Sequence, residues 1–251
     1  MPAAVTGELA PAGTLRAGIN TRNELLVSSV TEDGVPHGVA PDVAAEVARR
    51  LGVSVRWVLY DSPAALADAA ADQAWDIGLL GAEPERAESI AFTQAYAEIP
   101  ATYLVHADSA LRAVSDVDQP GVRISVAARA AYELWLTRHI RHAELVRSPT
   151  PAAAYDLFVR DRLDALAGLT ARLTGDLART PGSRLLDGAF TSVQQAIGTP
   201  RGRSRAAAFL PELVGSLLSS GFVAGSIARH HVTGLSAAED RPAGQGTDTD
   251  G

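Results

Sequence analysis

The sequence predicts an α/β protein of two lobes, and three observations carry that reading. Strand-like and helix-like periodicities alternate through both halves, in the βαβ manner that lays helices over a parallel sheet. The length, 251 residues, suits two lobes of about 100–150 residues each. The last helices follow a return crossover, where they are needed to complete the first lobe.

Each element has its own local reason. Thr14–Ile19 is apolar and strand-like and runs into a polar turn ending at Asn23. Val35–Val39 reads as a strand after the Glu32-Asp33-Gly34 turn. Pro41–Leu51 is helical, because Val43, Val47 and Leu51 recur every four residues, and Gly52 stops it. Val53–Leu59 alternates Val53, Val55, Trp57 and Leu59, a strand pattern. Ser62–Gln73 is an alanine-rich helix with Ser62 at its N-cap and Pro63 in its first turn. Ile77–Leu80 is a brief buried strand.

The second half repeats the theme. Thr102–Val105, Arg123–Val126, Leu145–Arg147, Leu163–Leu166 and Val193–Gly198 read as strands. Ala130–Ile140, Pro151–Arg160, Ala171–Ala178, Ala206–Ser219 and Phe222–Arg229 read as helices. The chain is expected to cross between lobes near Tyr96–Tyr103 and to return near Phe190–Gln195. Lobe one is then 14–97 plus 195–236 and lobe two is 98–194, with 1–13 and 237–251 as flexible tails.

Composition removes several function classes. There is no cysteine, which excludes disulfides, thiolate metal sites and cysteine nucleophiles. All 22 basic residues are arginine, which excludes Schiff-base and P-loop lysine chemistry. A net charge of −7 with scattered arginines argues against nucleic acid as a partner. No run approaches the roughly 18–20 apolar residues of a membrane span. The first residues, Met1 to Glu8, carry neither a basic n-region nor an apolar h-region. The compartment expected is the periplasm if a leader was removed from this numbering, and the cytoplasm otherwise.

Catalytic signatures are absent: no G-x-S-x-G, no H-E-x-x-H and no G-x-G-x-x-G occurs. His139 and His142 share one predicted helix and His230-His231 end another, but neither pair has a carboxylate at metal-ligand spacing. No metal and no cofactor is expected. Trp57, Trp75 and Trp135 fall on core-facing positions and read as packing residues.

The informative stretch is Trp75–Val105. A strand ends at Gly81, and Ala82-Glu83-Pro84-Glu85-Arg86 then opens a helical turn. Backbone N–H groups beside an arginine make a receptor for a carboxylate or another anion.

Here the sequence resembles the type II periplasmic solute-binding proteins of amino-acid-type ABC transporters (family 3). Glu83-Pro84-Glu85-Arg86-Ala87 followed by Ile90-Ala91-Phe92-Thr93-x-x-Tyr96 matches that family's motif after its strand. Further matches come in order. Leu15-Arg16-Ala17-Gly18 resembles the first strand, and Gly38–Asp42 with Glu46–Gly52 the first helix. Ser115-Asp116-Val117 with Gly121–Val126 resembles the start of lobe two, and Arg162-Leu163-Asp164-Ala165 the strand before the return. The resemblance spans about residues 14–230. It implies a two-lobed periplasmic-binding-protein-like fold (type II), with a ligand cleft between lobes joined by two crossover strands and closing by hinge motion.

The resemblance also assigns site residues. It gives Arg86 the role of pairing with a ligand carboxylate. It places the start of the first lobe-two helix, Arg129 and Ala130, against the ligand, although Arg129 stands where the family has glycine. Asn20, Tyr96 and Gln195 complete the expected ligand-binding set. One departure matters more. Amino-acid binders place an aspartate about five residues after the position of Asp164, and that position is Leu169. A buried ammonium without that partner would cost on the order of several kcal/mol.

The expected function is therefore capture of a small organic carboxylate, not an ordinary α-amino acid, for ABC-type uptake. The partners are a small anionic or neutral ligand and an ABC permease, and the protein is a monomer that does not span the membrane. Two alternatives stay open. One is an enzyme on the same fold, a dehydratase or lyase of a small cyclic carboxylate, with Glu83, Glu98 or a histidine moving the proton. The other is a cytoplasmic ligand sensor.

Overall fold

A computed structural model describes residues 3–239. In chain order the elements are α1 (Ala3–Leu9), β1 (Thr14–Asn20), β2 (Ser29–Val30), β3 (Pro36–His37), α2 (Val39–Leu51) and β4 (Ser54–Tyr60). Then come α3 (Pro63–Asp68), β5 (Ile77–Gly81), β6 (Ile90–His106), β7 (Arg123–Ala127), α4 (Ala131–His139) and β8 (Glu144–Ser148). The rest are α5 (Pro151–Arg160), β9 (Ala165–Leu169), α6 (Thr170–Arg179), β10 (Ser183–Leu185), β11 (Thr191–Pro200), α7 (Ser204–Ser219), α8 (Phe222–Arg229) and β12 (Ser236–Ala237). The chain divides into two compact units, with boundaries at 98/99 inside β6 and at 193/194 inside β11.

Unit 1 is built on the strand order β4-β1-β5-β11-β6. Strand β1 pairs in parallel with β4 and with β5, and β11 runs antiparallel to β5. Its core is set by one indole. Trp75 is fully buried among Leu66, Leu80 and Ile90, and its Nε1–H donates to the Leu66 carbonyl at 2.9 Å. Room for that ring comes from Gly18 and Gly78, register partners on β1 and β5. A Cβ on Gly18 would lie 2.6 Å from Leu66 Cδ1 and 3.0 Å from the indole, and one on Gly78 would lie 3.1 Å from it. Helix α2 buries Val39, Val43, Val47 and Leu51, sets Arg49 and Arg50 in its last turn, and ends at Gly52 with φ +70°.

At the amino end of β5 lies a fully buried Asp76. Arg16 grips it with two hydrogen bonds, 2.8 and 3.0 Å, its backbone N–H adds a third at 2.8 Å, and Arg203 adds a fourth at 2.7 Å. The carboxylate holds the Arg16 guanidinium pKa above its ordinary value, chiefly through those hydrogen bonds.

Unit 2 carries the order β6-β9-β7-β8, with β10 also paired to β6. Strands β7, β8 and β9 are mutually parallel, and β6 and β10 run against their neighbours. Leu104, Phe158, Leu163, Leu166 and Leu173 form its core beneath α5 and α6. Thr150 caps α5 through its hydroxyl, which accepts from Ala153 N–H at 3.1 Å.

Five expectations need correcting. Residues 1–13 do not read through as a flexible tail, because 3–9 form α1. Val5 and Leu9 are buried, and the Glu8 carboxylate accepts from the backbone N–H groups of Arg205 and Ala206 at the start of α7, both at 3.0 Å. The helix read over Ser62–Gln73 ends at Asp68, since the chain turns through Gln73 at φ +48° to deliver Trp75 inward. The strand over Val35–Val39 shrinks to Pro36–His37, because α2 already begins at Val39. Trp57 and Trp135 are half-buried, so only Trp75 is a core tryptophan. The expected C-terminal tail starts within β12, and residues 240–251 lie outside the described residues. Among the described residues no single helix is long and apolar enough to cross a membrane.

Candidate functional site

In unit 1 the expected residues gather where the parallel strands end. Asn20 closes β1 and Gly81 closes β5, and the two strands are adjacent. The carboxyl ends of parallel strands are the side on which α/β sheets take ligands. Asn20 Oδ1 accepts from the Arg22 N–H at 3.1 Å, which folds the following loop tightly against the strand end.

Beyond Gly81 the chain turns through 82–85 into a short 3-10 turn over Arg86–Glu88. Arg86 is the first residue of that turn and is only 6% exposed. Its Nη1 donates to the Gly81 carbonyl at 2.8 Å, so the guanidinium folds back over the end of its own strand. Gln195, buried, is the register partner of Gly81 on β11, and the Gln194 carbonyl accepts from Ala82 N–H at 2.8 Å. Asn20, Arg86 and Gln195 thus share one strand edge: a fixed cation beside two neutral amides.

Tyr96 is placed differently. It is fully buried on β6, and its hydroxyl has no hydrogen-bond partner among the described residues. Burial pushes its phenol pKa well above the ordinary value. As it stands, the side chain has no surface on which a ligand could rest.

Unit 2 assembles a second strand edge. Arg129 follows β7 and has φ +60°, the left-handed conformation that glycine adopts most easily. The family's glycine is replaced here, yet the backbone still turns as a glycine would. Arg129 is exposed and Ala130 is buried at the start of α4. Leu169 ends β9, the strand parallel to β7, and brings no charge to this edge. The Thr170 hydroxyl beside it is buried without a hydrogen-bond partner among the described residues.

Sequence reasoning missed Glu133. It lies in the first turn of α4, is 4% exposed, and accepts from the Arg129 backbone N–H at 2.9 Å. Arg147 Nε at 2.7 Å and the Thr137 hydroxyl at 2.8 Å satisfy its other oxygen. The available signal was a glutamate at the third helical position, where it can reach back to N–H groups at the helix start.

The other candidates have structural partners. Asp164 accepts from Arg123 N–H at 2.8 Å. His139 stacks on Trp135 with ring centroids 3.8 Å apart. His230 Nε2 lies 3.1 Å from the Asp42 carboxylate, which also accepts from Ser226. Among the described residues no three His, Asp or Glu side chains are grouped to hold a metal ion.

The strand orders and the site edges define a periplasmic-binding-protein fold of type II, and comparison with known proteins bears this out. The chain matches an ArgBP variant from T. maritima with a TM-score of 0.70 at 22% identity, covering 92% of this chain and 100% of that one. It matches a lysine-complexed binding component of an ABC transporter from Wolinella succinogenes with a TM-score of 0.71 at 19% identity, covering 87% and 95%. The ancestral amino-acid-binding protein AncCDT-1, a precursor of cyclohexadienyl dehydratase, matches with a TM-score of 0.70 at 20% identity, covering 88% and 96%. No curated protein sequence matches significantly. Residues 15–229 match the bacterial extracellular solute-binding proteins, family 3, and the chain belongs to that family.

Proposed function

We propose that this solute-binding protein captures a small organic carboxylate and serves ABC-type uptake. The observation that carries the reading is Arg86: a guanidinium 6% exposed, tied to the Gly81 carbonyl at the carboxyl end of β5. A guanidinium presents a planar fork that suits a carboxylate and stays charged at any working pH. Asn20 and Gln195 beside it supply neutral amide donors and acceptors. Arg129 and Ala130 contribute the second strand edge.

The ligand class follows from what the edges lack. Leu169 stands where amino-acid binders of the family hold the ligand ammonium, so an α-amino acid would leave its own charge unpaired at that point. The T. maritima and W. succinogenes proteins take amino acids by their names, and the present chain departs from that pattern at this residue.

Native mass spectrometry of freshly purified protein, followed by calorimetry with the retained compound, tests the reading. A bound carboxylate whose affinity falls about 30-fold or more in Arg86→Met is the expected result, in keeping with about 2 kcal/mol or more for a buried charge-assisted pair. Tight binding of a standard L-amino acid that is lost in Arg86→Met would overturn the ligand class. Turnover of a cyclic carboxylate would replace capture by catalysis.

A further inference from the structure

Unit 2 holds an open surface pocket of about 430 Å³, lined by His106, Asp108, Val159, Arg162, Thr180 and Pro181 among others. Its volume falls in the range of small-molecule sites. We infer that it is a second binding site, one for a small zwitterion: an ammonium and a carboxylate carried on a short apolar skeleton.

The backbone at Ala107 and Gly182 and the side chains of Thr180 and His106 are held in place. Ala107 N–H donates to the Gly182 carbonyl at 2.8 Å, joining the end of β6 to the loop before β10. The Thr180 hydroxyl is 2.8 Å from Tyr155 Oη and donates to the Asp176 carbonyl at 2.9 Å. The His106 ring stacks on buried Phe158, with centroids 4.6 Å apart and planes within 11°. The pocket therefore does not depend on a mobile side chain for its floor.

Its chemistry is two-signed. Asp108 and Arg162 face one another at 3.9 Å, both largely exposed. Such an ion pair is worth about 0–1 kcal/mol, so a ligand bringing both charges can open it at little cost. Arg162 takes the carboxylate and Asp108 the ammonium. Val159, 43% exposed, and Pro181 give the apolar wall for the skeleton.

His106 adds a polar ring to the lining, and its Nε2 is buried with no hydrogen-bond partner among the described residues.

Arg162 also provides a clean test. It follows α5 with φ +45°, and Leu163 N–H bonds the Phe158 carbonyl at 3.1 Å, the arrangement in which glycine usually fills this position. Arg162→Gly removes the guanidinium while easing the backbone, so its melting temperature should equal or exceed that of the parent.

The experiment titrates the ¹⁵N-labelled full chain with L-leucine as the probe, followed by NMR. Saturable shifts at the Ala107 and Gly182 amides and the His106 ring are expected. The dissociation constant should rise about two- to fivefold in Arg162→Gly and in Asp108→Asn, as loss of one exposed charged contact implies. Propionate and butylamine, each bearing one charge, should bind more weakly by about the same factor. The inference fails if no saturable shifts appear, if both variants bind as the parent does, or if either single-charge compound binds as well as leucine. Shifts confined to residues around Asn20 and Arg86 would equally overturn it. None of these failures touches the assignment of Arg86.

Discussion

Asp76 in unit 1 and Glu133 in unit 2 are both buried carboxylates held by arginine, but they lie at opposite ends of their parallel strands. Asp176 on α6, held by Arg172 and Arg179, is a further one in unit 2. Asp76 lies at the amino end of β5, bound by Arg16 and Arg203, and away from the edge where Asn20 and Arg86 gather. Glu133 lies at the start of α4, on the carboxyl edge itself, bound by Arg147 and by the Arg129 backbone. In unit 1 Asp76 fastens the fold from the far end, and the edge carries Arg86 with buried Glu83 in the turn before it. In unit 2 the edge holds its own anion, so the loop that would meet a ligand is positioned by an internal charge. Similar strand-to-helix geometry therefore has different consequences according to which end carries the carboxylate.

The largest effect should come from breaking the unit 1 fastening. Asp76→Ala leaves two guanidinium groups beside an apolar floor and should cost about 3–5 kcal/mol in denaturant unfolding. A loss under about 1 kcal/mol would mean that Asp76 is not the fastening it looks. Any ligand affinity surviving in the folded fraction should be near that of the parent.

Glu133→Gln should cost less, about 1–3 kcal/mol, because Arg147 is 44% exposed and water can compensate it. It should also weaken ligand binding several-fold by releasing the Arg129 turn. An unchanged affinity would remove the distinction between the two carboxylates.

Gly18→Ala probes the floor under Trp75. Leu66 and the indole must both move, with an expected loss of about 1–3 kcal/mol and a red shift in tryptophan emission. A variant as stable as the parent would show that this part of unit 1 is loosely packed.

The smallest effect is on the surface of α2. Glu46 bonds Arg49 at 2.6 Å and Arg50 at 2.8 Å, and these contacts, Arg49 first, lower its pKa to about 2. A lowered folded pKa means stabilisation that is complete above the unfolded value, about 4.3, and lost as pH falls toward 2. Glu46→Gln should flatten the stability profile across that window, so its deficit is full near neutrality and vanishes as pH falls toward 2.

Much of this was legible in the sequence, and the rest was hidden for identifiable reasons. The four-residue spacing of Val43, Val47 and Leu51, with Gly52 after it, located α2 within two residues. Ser62 and Pro63 located the start of α3 but not its end, because Gln73 enters a left-handed turn that tertiary packing of Trp75 demands. Helix α1 was invisible because its anchor is distant: Glu8 reaches residues 205 and 206. The 17-residue span of β6 was read only as Thr102–Val105, since Gln94, Ala95, Glu98 and Pro100 blur its alternation. Arg86 stands among Glu83, Glu85 and Glu88, a surface pattern by composition; only the family motif set it apart, and its burial needed the fold. Glu133 stands among Tyr132, Leu134 and Trp135, and its reach back to the Arg129 N–H and across to Arg147 needed the fold.

The placement of the tryptophans has an optical consequence. Trp75 is sealed within unit 1 with its N–H bonded to a carbonyl, while Trp135 is half-buried in unit 2 against His139. Replacing Trp57 by Phe would leave one indole in each unit, in surroundings of unequal polarity. Their emission bands should separate, so the melting of each half of the molecule can be followed by its own colour.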